Sequence, residues 1–133
     1  MRDFARGQTE ALLRHFGTQM HRTARSPDPD AIHDLRVSIR RLNRCLRVFA
    51  EFYPGDGWRK IRRRLKGLME FCGAVRDRDI ARELLSNAGF AEDSIVMLRL
   101  NLERAEALQK LTAELQRWTL HGVAQGWRVQ LGL

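Results

Sequence analysis

Lysine is nearly missing from this basic chain: Lys60, Lys66 and Lys110 stand against 21 arginines. Arginine's planar fork can hold two phosphate oxygens at once, whereas lysine presents a point charge. A GC-rich genome also favours arginine, so the bias alone does not assign a ligand. Proline is confined to Pro27, Pro29 and Pro54, and strand-like alternation of β-branched residues is absent, which leaves helix as the only regular structure to build with. The two cysteines, Cys45 and Cys72, belong to no CxxC or Cys/His cluster, so neither a zinc site nor a disulfide framework is indicated. No run approaches the ~20 apolar residues needed to span a bilayer, and MRDFARGQTEALLRHF lacks the apolar centre of a signal peptide. These readings predict a cytoplasmic protein with no membrane partner. A P-loop, an activated nucleophile and an acid cluster able to hold catalytic Mg²⁺ are all missing, so no enzyme, cofactor or metal is expected.

What is present is charge and helical periodicity. The 133 residues carry a formal net charge of +8 and are 44% hydrophobic, one domain's worth with an ordinary core. Such a positive excess attracts polyanions, whether nucleic acid, polyphosphate or anionic lipid. Four amphipathic helices are predicted: Asp3 to Arg25, Pro29 to Phe52, a third from near Asp56 to Leu85 with a possible kink at Gly73, and a fourth opening near Ala91. SPDPD, YPGDG and NAGF separate them as turns. Short connections between such helices predict an all-α, antiparallel four-helix bundle over residues 1–120. The glycines at 122, 126 and 132 predict an irregular extension over residues 121–133.

The second helix has the most informative face. Ile32, Leu35, Ile39, Leu42, Leu46 and Phe49 form a seam of alternating three- and four-residue spacing. At roughly 100° per residue, His33, Arg36, Arg40, Arg44 and Arg47 fall on one ridge beside that seam, and Arg41 lies outside it. Like charges four residues apart repel, at a cost of roughly a few tenths of a kcal/mol per pair. Between Asp34 and Glu51 no acid relieves them. An anion would neutralise such a ridge; an ordinary basic exterior is the alternative. On the third helix Arg59, Arg62, Arg63 and Lys66 fall beside the seam of Ile61, Leu65, Leu68 and Cys72 in the same way. Seam-to-seam packing would line one groove with both ridges. Trp58 reads as a packing residue at a helix start. Asp79 would point towards the seam, needing a cation from Arg76 or from the second helix; Asp77 and Asp79 read as organisers of arginines, not metal ligands.

IHDLRVSIRRLNRCLRVF (32–49) resembles the signature of CHAD domains, the conserved-histidine α-helical domains: His33, Arg36, Val37, Arg40, Arg41 and Leu42 match its pattern. LKGLMEFCGAVRDRDIARELL (65–85) is similar to the family's second motif through Arg76, Asp77 and Asp79, with Ile80 in place of valine. The resemblance implies two four-helix bundles about a pseudo-two-fold, a basic channel between them, and binding of inorganic polyphosphate, often at polyphosphate granules. It makes His33, Arg36, Arg40 and Arg41 candidate phosphate contacts, joined by position by Arg44, Arg47, Arg59, Arg62, Lys66 and Arg76. Asn43 departs from the family by replacing a frequent base. A family domain is about double this length and carries the histidine motif twice, so the chain resembles a half-domain, either a fragment or one partner of a homodimer. The competing expectation is a nucleic-acid-binding protein, although the ridge offers few groups for base readout or stacking.

Overall fold

The breaks in the sequence become the corners of the fold. The computed structural model describes residues 1–133 as five α-helices with no strands: α1 Arg2–Arg25, α2 Pro29–Val48, α3 Gly57–Asn87, α4 Ile95–Leu120 and α5 Val123–Gln130, with a 3₁₀ turn at Ala50–Phe52 after α2. Ser26 and Asp28 each precede a proline, which disfavours helical backbone, and both have left it, Asp28 for the extended region. Asp28 then accepts the Ala31 N–H at 2.8 Å while Pro29 fills the first helical position, so one short segment both stops α1 and starts α2. Ser94 caps α4 by accepting from the Met97 N–H at 3.3 Å, so α4 opens at Ile95 and not near Ala91. At Gly73 α3 continues without interruption.

α1 lies along α2 and touches α4; α2 lies along α3, and α3 along α4. The α2 seam is buried from Ile32 to Leu46, and Ile61, Leu65, Leu68 and Cys72 of α3 face it. Burial pushes the Cys72 thiol up to about 12, so it packs as a small neutral group. On α1 the buried line runs Ala5, Thr9, Leu13, Phe16, Met20 and Thr23, while Phe4 is exposed. Thr9 satisfies itself by donating to the Ala5 carbonyl at 2.7 Å, and the buried Tyr53 hydroxyl lies 2.6 Å from it. With the Thr9 proton committed, Tyr53 donates, which pins the loop after α2 to α1.

The last thirteen residues are not an irregular extension. Gly122 takes the left-handed conformation, φ +58°, which turns the chain from α4 into α5. Val123, Trp127 and Leu131 then repeat every four residues on one buried face. Trp127 stacks on Phe16 with ring centroids 5.8 Å apart and meets Trp118 edge-on at 5.4 Å. The Arg64 guanidinium sits over Trp118 at 4.8 Å and Trp127 at 5.9 Å, so this arginine belongs to the structural cluster.

The α4 seam that the spacing predicts, Ile95, Leu98, Leu102, Ala105, Leu108, Leu111 and Leu115, is buried only at Leu111 and Leu115. Ile95, Leu98, Leu102 and Ala105 face outwards, and the buried side is Met97, Ala107, Leu111, Leu115 and Trp118. A three–four count can begin on either of two apolar stripes, and only a neighbouring element decides which one is inside. No α3 residue beyond Val75 is buried, and Met97 is the one buried α4 residue before Ala107. The span from 76 to 106 is therefore a two-helix hairpin projecting past the core.

Candidate functional site

The packing that buries the α2 and α3 seams also sets their flanks side by side. Two adjoining clefts run along the α2–α3 line. One, of about 340 Å³, is lined by Arg40, Arg44 and Arg47 from α2 and Arg62, Lys66 and Met69 from α3, over Ile39 and Asn43. The other, of about 330 Å³, is lined by Trp58, Arg59, Arg62, Arg63, Lys66 and Asn43. Asn43, Arg62 and Lys66 border both, so the clefts form one trough.

The trough's charge is one-sided. Seven cations line it and no carboxylate does. None of the seven takes part in an ion pair within the chain: the molecule's salt bridges involve Arg14, Arg22, Arg78, Arg82, Arg104, Arg117 and Arg128 instead. Asp34 of α2 is engaged elsewhere, accepting from Arg22 of α1 at 2.6 Å. Unpaired guanidinium groups on facing walls keep their donors available, and a concave low-dielectric surface concentrates their field.

One neutral residue organises this array. Arg62 donates through Nε to the Asn43 carbonyl oxygen at 2.6 Å. The bond spans α2 to α3 and leaves the two outer guanidinium nitrogens of Arg62 free to face an anion. A base at position 43 would add charge but could not accept this bond. Arg63, on the α3 ridge with Arg59 and Arg62 but not among the candidate phosphate contacts, lines the trough as well.

The remaining expected residues are placed differently. His33 is exposed on the second turn of α2 and does not line the trough. Arg36 is half-buried near Cys72, and its Nε is buried without a hydrogen-bond partner. Arg41 lies in a separate groove between α1 and α2 with Phe4, Leu12 and Phe49, and only Arg44 borders both places. Arg76 is exposed where α3 leaves the core.

The partner anticipated for Asp79 needs correcting. Asp79 is paired with Arg104 of α4, and neither Arg76 nor any α2 arginine reaches it. Asp77 is exposed and unpaired. With Arg78–Glu103 at 3.7 Å alongside, this pairing ties the hairpin's two helices together and does not orient the basic ridge. Trp58 is half-buried against the core with the Arg59 guanidinium 5.2 Å from its ring, so it packs and supports an arginine.

The family model described as CHAD domain matches residues 7–130, which takes in both ridges and α5. Searches of curated proteins and of solved structures returned no match.

Proposed function

The chain belongs to the CHAD domain family, and from that premise we propose that it is a non-catalytic module that binds inorganic polyphosphate along the α2–α3 trough. The observation that supports this reading is the row of seven cations, free of acids and of internal ion pairs, on the two walls of one trough. A linear polyanion answers such a row better than a compact one, because successive phosphates can engage successive guanidinium groups as the chain runs along it. Arg40, Arg44 and Arg47 would bind from one wall and Arg59, Arg62, Arg63 and Lys66 from the other. The trough offers donors and positive charge but no general base or nucleophile, so binding is the activity it supports. His33 and Arg36, further along α2, would extend the track at one end.

In this reading α1 to α4 form an antiparallel four-helix bundle, half of the two-bundle arrangement that the family implies, and a second copy would supply a second trough. The place of action would be the cytoplasm, at polyphosphate granules. The test is binding of long-chain polyphosphate in competition with duplex and single-stranded DNA at one ionic strength. Polyphosphate should displace both nucleic acids. Equal competition by DNA would move the assignment to nucleic acid, for which the trough offers one half-buried aromatic, Trp58, packed against the core, and one amide, Asn43, already engaged by Arg62.

A further inference from the structure

The outer face of α4 carries apolar surface that the fold leaves uncovered. Ile95 is 84% exposed, Leu102 73% and Leu98 50%, and Ala105 continues the line. Their spacings of three, four and three make a second heptad seam, on the side of the helix away from the core. Beside it a shallow groove of about 360 Å³ between α3 and α4 is floored by Leu84, Leu85, Val96 and Leu100. At roughly 100 Å² for each fully exposed Leu or Ile side chain, the exposed fractions of Ile95, Leu98, Leu102, Leu84 and Val96 leave on the order of 300 Å² of apolar surface open. That is the size of the largest patch on a typical monomer. It is also more than a third of the ~800 Å² that each partner buries in a standard interface.

The flanking charges identify the occupant. Arg99 and Glu106 are both exposed, stand seven residues apart on the same flank of the seam, and have no ion-pair partner in the chain. We propose that this face docks a second copy of the same chain, with the two α4 helices antiparallel and a two-fold axis passing close to Leu102. In that register Leu102 meets its own counterpart and Leu98 packs over Ala105 of the second copy, large on small. Arg99 of each copy then faces Glu106 of the other, twice. A parallel pairing would set this flank against the opposite flank of the seam, where Asn101 and Leu108 stand, and leave both charges unpaired, so the charge pattern selects the antiparallel one.

The rest of the surface argues the same way. The hairpin from 76 to 106 holds seven acids and five arginines, whereas the chain as a whole is +8. Two copies can therefore meet at the hairpins while their basic troughs stay apart.

The experiment is sedimentation velocity of the full chain from 1 to 200 µM without polyphosphate, on wild type and on Leu102→Glu, Arg99→Glu, Glu106→Arg and the double variant R99E/E106R. Wild type should sediment at twice the chain mass. Leu102→Glu, which places two carboxylates on the axis, should be monomeric at every concentration. Each single charge reversal should weaken association at least tenfold, and the double variant should restore it. A wild type monomeric throughout, a Leu102→Glu variant that still dimerises, or a double variant no better than the singles would each overturn the proposal. All substituted positions are exposed, and circular dichroism of each variant verifies the helices. The inference does not depend on the polyphosphate reading: Leu102→Glu should retain binding to a single trough, and trough variants should retain dimerisation.

Discussion

Removing one arginine from each wall of the trough, as Arg40→Ala with Arg62→Ala, tests the binding site most directly. Arg40 is exposed, so its contact with a phosphate would be well screened, contributing about 1 kcal/mol. Arg62 is half-buried and held by Asn43, so its contact approaches the charge-assisted range, about 2 kcal/mol. Together the loss is about 3 kcal/mol, or roughly 100-fold in Kd. The salt dependence gives a second reading that does not rest on those energies. At about 0.7 counterions released per contact on a single-stranded polyanion, seven cations predict a slope of log K against log salt near −5 for wild type, and five predict about −3.5. The assay is fluorescence anisotropy of end-labelled long-chain polyphosphate titrated with protein at salt concentrations from 50 to 500 mM. The fold should be untouched, since neither side chain belongs to the core. A double variant that binds within twofold of wild type with an unchanged slope would refute the trough as the site, whatever the protein's total affinity for polyphosphate.

Three further outcomes follow from the same geometry. Asn43→Ala should weaken polyphosphate binding several-fold with little change in Tm, and Asn43→Asp should weaken it more, because a carboxylate would pair with Arg62 and neutralise it; equal affinities in the same anisotropy assay would remove Asn43 from the site. Trp127→Ala should cost about 3–5 kcal/mol in urea unfolding, as a buried aromatic at the centre of the Phe16–Trp118 cluster, whereas a frayed tail would lose nothing. Asp79→Asn should lower stability by about 1 kcal/mol by thermal unfolding yet leave polyphosphate affinity within twofold, since its partner Arg104 lies on α4, away from the trough; a large loss of binding would restore the organiser role.

Much of the site was legible because two helices carried their information locally. The α2 seam and its ridge are functions of position along one helix, and Arg40, Arg44 and Arg47 line the trough as the wheel places them. The α3 ridge is legible for the same reason. The failures are of another kind. Arg41 satisfies the motif but lines the α1–α2 groove, as its angle outside the ridge implied, because a motif counts residues and does not measure angle. Asp79 was assigned Arg76 or an arginine of α2, and the structure supplies a partner 25 residues away on α4. Asn43 looked like lost charge because its worth is a hydrogen bond to another helix. The tail was discounted on its glycines, yet the four-residue repeat of Val123, Trp127 and Leu131 outweighs them once Phe16 and Trp118 offer a surface to bury against.

By itself, the sequence determined the quantities set by neighbours in the chain: helices from their periodicity, corners from Ser26–Asp28 and the glycine turns, excess positive charge, and two ridges each beside a seam. The tertiary structure alone decided what depends on contact between helices. It set the ridges on facing walls, gave Arg62 its acceptor and Asp79 its cation, and buried one apolar stripe of α4 while leaving the other in solvent. The physical reason is that hydrophobic burial has no direction of its own. A stripe of leucines states that something must cover it, and only the packed neighbours determine which stripe is already covered and which still waits for a partner.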